Sequence, residues 1–114
     1  MTEIEYHKAL AKCNERQRLP NRRAHELIDF EHGGFRFTVG VGRFEDGALA
    51  EVFLNCSKGG TPVDVNARDG AIVASLALQR GATSAELRHA LSRKGNGSAG
   101  GPLAAALDLI EGTP

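Results

Sequence analysis

The chain has 114 residues, with 14 Lys and Arg balanced by 14 Asp and Glu, and 41% of its residues are hydrophobic. That is enough for one domain with a modest core, and the charge balance excludes a dedicated DNA-binding surface. No stretch approaches the roughly 18 apolar residues of a membrane span, and "MTEIEYHKAL" lacks the apolar centre of a secretory signal, so the chain reads as soluble and cytoplasmic, with neither membrane nor DNA as a partner.

Residues 1–24 form a polar segment that turns basic, with six Lys or Arg against three Glu. Ile4, His7 or Lys8, and Leu10 or Ala11 stand at rough helical spacing, which predicts a short N-terminal helix. Pro20 in "RQRLPNRR" interrupts it, because proline has no amide to donate and disfavours helix at the residue before it. Residues 25–114 then read as a single α+β domain.

From His25 to Cys56 the apolar period changes to two. With Gly33-Gly34 as a two-residue loop, Glu31 pairs with Arg36, Phe30 with Phe37 and Ile28 with Val39. With Asp46-Gly47 as a second such loop, Phe44 pairs with Leu49, Val41 with Val52, Val39 with Leu54 and Phe37 with Cys56. Both turns put the apolar residues on one side of the middle strand, and a one-residue slip would turn that set to solvent. The opposite side carries Leu27, Asp29, Glu31, Arg36, Thr38, Gly40, Gly42, Glu51, Phe53 and Asn55. There Gly40 lies across from Phe53, whose ring can cover it, so the glycines of "FRFTVGVGRFEDG" belong to a hairpin and not to a phosphate loop.

After Cys56 the period becomes helical. "VDVNARDGAIVASLALQRG" places Val65, Ile72, Val73, Leu76 and Ala77 at helical spacing, with Pro62 near its start and Gly81 as its stop. Gly70 within it predicts a close neighbour. Thr83 followed by Glu86 is a capping box. It opens a helix whose buried stripe is Leu87, Ala90 and Leu91 and which ends at Gly95. "KGNGSAGGP" reads as a flexible loop. Pro102 starts the last helix, with Leu103, Leu107 and Ile110 on one face. The expected fold is a three-stranded antiparallel meander followed by two or three helices.

No nucleophile elbow, phosphate-loop lysine or metal-ligand spacing occurs, so no catalytic residue, cofactor or metal is expected. Acidic pairs such as Glu45-Asp46 and Asp64 with Asp69 read as a turn and a solvated helix start. Basic residues gather beside small polar ones in three groups: Arg22 and Arg23; Asn55 and Lys58; and Arg93, Lys94, Asn96 and Ser98. With Arg36 and Arg68 they form the candidate ligand-binding set, because guanidinium groups, hydroxyls and exposed amides together suit an anion. Arg68 lines the same region or pairs with Asp64. Gly100-Gly101 before Pro102 offers a second phosphate position, at a helix N-terminus.

The series "RLPNRR", "FEHGGFRFTVGVGRFEDGALAEVFLN", "ARDGAIVASLALQRGA" and "LRHAL" resembles the TSCPD domain found near the C-terminus of ribonucleotide reductases, in order from about Arg18 to Ile110. The cysteine motif that names that family is missing, as is the catalytic barrel, so the resemblance implies an accessory module and not a reductase. The chain is also similar, in size and order of elements, to phage proteins that capture cyclic nucleotide signals of bacterial immunity. The resemblances imply two functions. One is a non-catalytic binding protein that sequesters or senses a nucleotide-like ligand and assembles as a homo-oligomer. The other is an accessory module that docks on a reductase partner through the sheet face around Phe53 and Gly40. Leu27 and Phe53 on that face, beside strand glycines, also suggest a packed partner copy.

Overall fold

The computed structural model describes Arg16 and residues 25–112; the helix expected before Pro20, together with Arg22 and Arg23, lies outside the described residues. Three strands, β1 (His25–His32), β2 (Phe35–Arg43) and β3 (Leu49–Cys56), are followed by three helices, α1 (Pro62–Leu78), α2 (Ser84–Ala90) and α3 (Pro102–Ile110). The strands form an antiparallel sheet in the order β1-β2-β3. The fold is α+β, a meander followed by helices.

The first hairpin has the register that its turn dictates: Phe30 faces Phe37 and Ile28 faces Val39. Gly33 and Gly34 adopt φ of 61° and 83°, the doubly left-handed conformation of a two-residue hairpin loop, which glycine adopts without steric cost. The Phe30 and Phe37 rings stack with centroids 5.6 Å apart, fastening the pair on the core side.

The second hairpin departs from expectation at its tip. Phe37 pairs with Cys56, Val39 with Leu54 and Val41 with Val52, but the register shifts after Gly42 so that Arg43, not Phe44, opposes Leu49. A two-residue loop would need a left-handed Asp46 as well as Gly47, and no residue other than glycine has positive φ among the described residues. The chain instead closes a three-residue loop. The Gly47 amide donates to the Phe44 carbonyl, the Phe44 amide donates to the Ala48 carbonyl, and Gly47 alone carries a φ of 88°. The shift leaves Ala50 as the extra residue of a β-bulge, so Leu49, Ala50, Glu51 and Val52 are all buried in succession.

Phe37, Val39 and Val41 of β2 join Val52, Leu54 and Cys56 of β3 in the core, against Ala67, Ala71, Ala74 and Leu78 of α1 and Leu107 of α3. Burying each large side chain is worth about 1.5–3 kcal/mol. On the other side of the sheet, the Phe53 ring and Leu27 lie over Gly40, where an added Cβ would sit 3.4 Å from each. Glu51 folds across Gly42, where a Cβ would come within 2.6 Å of its side chain.

Helix α1 starts at Thr61, whose hydroxyl accepts from the Asp64 amide, with Pro62 in the first turn. Its buried side is the alanine stripe with Leu78, so the larger apolar residues read from the sequence as its stripe point the other way: Val65, Ile72, Val73 and Leu76 are 44%, 58%, 66% and 39% exposed. The physical reason lies at the edge of β3. The helix comes close enough for its side chains to hydrogen-bond the strand's outward backbone groups, and only alanine leaves room for that approach. Asp64 Oδ1 accepts from the Cys56 amide at 2.9 Å. Ser75 Oγ accepts from the Val52 amide at 2.9 Å and donates to the Val52 carbonyl at 3.0 Å. Gln79 Nε2 donates to the carbonyl of the bulged Ala50, and Arg16 Nε donates to Gln79 Oε1. An edge that would otherwise template pairing with another chain is thereby sealed by the chain's own helix.

Thr83 and Glu86 form the expected capping box. Helix α2 then ends at Ala90 and not at Gly95, and Ala90 is exposed while Leu87 and Leu91 are half-buried. The residues after it are drawn into a tight hairpin instead of the expected loose loop. Arg93 pairs with Ala99, the Gly100 amide donates to the Ser92 carbonyl, the Lys94 amide donates to the Ser98 carbonyl, and Gly97 closes the turn onto Lys94.

Candidate functional site

The residues of the expected ligand set fall in four places. Arg36 and Asn55 are exposed diagonal neighbours on the outer side of the sheet, Asn55 standing opposite Thr38. Lys58 stands on the other side, its Nζ 5.9 Å from the centre of the Phe35 ring, a cation–π distance. Arg68 pairs with Asp64, Nη1 to Oδ2 at 3.8 Å, which decides the alternative that the sequence left open. Arg93, Lys94, Asn96 and Ser98 share the hairpin after α2. The structure brings this last group together and does not bring Arg36, Lys58 or Arg68 into contact with it.

Asp64 is not the solvated helix-start carboxylate expected. It is 2% exposed and accepts from the Gly60 and Cys56 amides, at 2.9 Å each. Those two hydrogen bonds, with a smaller contribution from Arg68, hold its carboxyl below the ordinary aspartate value. Its work is to tie the loop after β3 to the start of α1.

Within the hairpin the polar groups are largely occupied by one another. Asn96 Oδ1 accepts from both the amide and the hydroxyl of Ser98, at 3.0 and 2.7 Å. Arg93 grips Asp108 of α3 through both terminal nitrogens, and its Nη2 also donates to the Arg88 carbonyl at 3.1 Å. Arg88 Nε donates to the same carboxylate at 2.9 Å. The hydrogen bond from Arg93, followed by that from Arg88, pushes the Asp108 carboxyl down to about 2, and the same bond raises the Arg93 guanidinium. One carboxylate gripped by two guanidinium groups therefore locks α2, the hairpin and α3 into a fixed arrangement. Lys94 stays exposed at the tip.

Beside this locked hairpin, between the residues that enter and leave it, lies a cavity of about 310 Å³, at the lower end of the range for small-molecule pockets. Val63 and Asn66 of α1, Leu91 and Ser92 ahead of the hairpin, and Gly101 and Leu103 at the start of α3 line it. The walls are apolar, and Asn66 and Ser92 are the polar side chains among the lining residues. Gly101 is the N-cap of α3 and makes no side-chain cap hydrogen bond, so the first turn of α3, which borders the cavity, lacks a side-chain cap. Gly100 holds this geometry, since a Cβ there would lie 2.8 Å from the Ser92 carbonyl oxygen.

The sequence marked Gly100-Gly101 and the basic hairpin but missed Asn66, Val63 and Leu91. Helical spacing placed Leu91 on the buried stripe of its helix, but it set the wrong face of α1 inward, and nothing in it tells which face of α1 would meet the start of α3. Among the described residues no cluster of three or more His, Cys, Asp or Glu could hold a metal ion, and no helix is long and apolar enough to cross a membrane. Comparison with protein-family profiles, with characterised proteins and with solved structures found no match for this chain.

Proposed function

We propose that this protein binds a nucleotide-like small molecule without turning it over, in the cleft between α1, the residues that follow α2 and the start of α3. It acts in the cytoplasm as a sequestering or sensing module, of the kind that phage use against cyclic nucleotide signalling. The observation that carries this reading is the pairing of an apolar slot with an uncapped helix start. A flat base or sugar ring gains by leaving water for the slot, and a phosphate is favoured by amides and helix dipole at the start of α3. Lys94 at the exposed tip of the neighbouring hairpin is the candidate cation, whereas Arg93 serves the site by holding the hairpin to Asp108.

Thermal shift of the purified protein against linear and cyclic nucleotides tests the reading, together with native mass spectrometry for ligand carried from the cell. A panel member should raise Tm, and Asn66→Ala with Lys94→Ala should reduce that rise while the unliganded Tm stays within a few degrees. A flat response to the whole panel, with no co-purified ligand, would sink the proposal.

A second reading is favoured by Leu27, 77% exposed, and Phe53, 47% exposed, which lie side by side over Gly40. In that reading the outer sheet face docks on a ribonucleotide reductase chain. Capture of a reductase from cell extract that disappears with Phe53→Asp is the expected result, and capture that survives the substitution removes the face from consideration.

A further inference from the structure

We infer that the outer face of the sheet is the docking surface for this chain's own N-terminal segment, residues 1–15, which lies outside the described residues. The inference does not depend on the ligand reading. It starts from Arg16, whose Nε donates to Oε1 of Gln79 at the end of α1, while Gln79 Nε2 donates to the Ala50 carbonyl. Arg16 is thereby held at the edge of β3, beside the residue that precedes Glu51. The next described residue is His25, whose strand partner Gly42 is also the partner of Glu51. These two fixed points bracket the end of the sheet at which Glu51 stands.

Burial and charge select the occupant. Glu51 points to the outer side of the sheet across Gly42, yet it is 6% exposed. A carboxylate covered to that extent needs donors or a cation beside it. Glu51, Phe53 and Arg80 each hold an interaction partner, and the segment that Arg16 fixes beside them is placed to supply one. The outer face carries Asp29, Glu31 and Glu51 against Arg36, whereas residues 1–24 carry six Lys or Arg against three Glu, so the signs are complementary. The other exposed apolar surface, around Ile72, Val73 and Leu76 of α1, lacks that selection, because Arg68 and Arg80 outnumber Asp69 there.

Spacing and length agree with this placement. In a helix, steps of three and four back from Arg16 reach Cys13, Leu10 and Tyr6. Leu10 then lies about 9 Å from Arg16 along the axis, and Tyr6 about 15 Å. Phe53 lies about 10 Å along β3 from Ala50, and Leu27 about 10 Å across the sheet from Phe53. Leu10 and Tyr6 therefore reach the patch that Phe53 and Leu27 form over Gly40. Tethering gives the segment an effective concentration on the order of mM at this face, so a contact too small to hold a separate chain holds this one. A reductase or a second copy gains the face only by displacing it.

The chain has no Trp, so Phe53→Trp in the full chain places a single indole on the face and tests the docking by fluorescence. That indole should emit at shorter wavelength than a solvated one and resist acrylamide. Adding Tyr6→Glu with Leu10→Glu should shift its emission to the red and raise quenching several-fold, equally at every protein concentration. An indole that ignores the two glutamates overturns the inference. So does a response confined to high concentration, which would mark a second copy, or a response of Ile72→Trp in place of Phe53→Trp, which would put the segment on α1. Should Phe53→Trp fail to fold, Leu27→Asp carries the test, because that side chain is 77% exposed. Tryptic cleavage after Lys8 and Lys12 should then speed up several-fold relative to wild type, and an unchanged rate overturns the inference.

Discussion

Two glycines of the helical half have opposite physical roles, and alanine separates them. At Gly100 a Cβ would meet the backbone carbonyl of Ser92 at 2.8 Å, and its own amide donates to that carbonyl. Neither group can move without opening the hairpin, so Gly100→Ala should cost about 1–3 kcal/mol of stability and loosen the cleft. Gly70 was expected to admit a close neighbour. Leu103 is that neighbour, but a Cβ at Gly70 would lie 3.7 Å from it, an ordinary contact. Helix propensity then decides, and Gly70→Ala should stabilise by up to about 1 kcal/mol. Urea denaturation of the two variants reads both signs, and a destabilised Gly70→Ala would show the contact with Leu103 to be tighter than its geometry implies.

At the scale of elements, the organising fact is the docking of α1 on the edge of β3. Alanines let the helix approach, and Asp64, Ser75 and Gln79 satisfy strand groups that would otherwise face solvent or another chain. Ser75 is decisive because one hydroxyl serves both the amide and the carbonyl of Val52. Ser75→Ala leaves that pair without its partner, and the expected loss is about 1–3 kcal/mol, with a greater tendency to associate through the exposed edge. Chemical denaturation measures the first, and light scattering at mild temperature the second. A variant as stable as wild type would mean that water replaces the hydroxyl at no cost. The serine was visible in the sequence as one helical residue among many. Its partner was not, because the helix-to-strand distance follows from the whole buried stripe.

For the whole molecule, acid should be the most informative stress. Asp64 and Asp108 both titrate below the ordinary aspartate value, Asp108 at about 2, whereas in the unfolded chain both titrate near 3.9. Their stabilisation is therefore complete above the unfolded value and is lost as pH falls through the folded ones. The urea midpoint should hold steady from neutrality to about pH 5 and then fall towards pH 2. Asp108→Asn should start from a lower midpoint at neutral pH and lose less of it on acidification, since it removes one of the two depressed carboxyls. Equal losses in variant and wild type would show that Asp108 does not contribute to the acid response.

The sequence by itself determined the meander, its register through Gly33-Gly34, the shared apolar side of β2 and β3, and the starts of all three helices. These follow from residues near one another in the chain, where turn glycines, caps and period-two patterning act locally. Only the tertiary structure decided the rest. The tip of the second hairpin gained a residue because Asp46 does not take a left-handed conformation. The apolar stripe of α1 faced outward because the alanine side was needed against β3. Asp64 proved a buried clamp, Arg68 its partner, and Arg93 the grip on Asp108, since each of those pairs is closed by elements that helical or strand periodicity cannot position in space. The candidate cleft belongs to the same class. Its walls come from α1, Leu91 and Ser92 after α2, and the start of α3, and it exists only where packing leaves a gap between them.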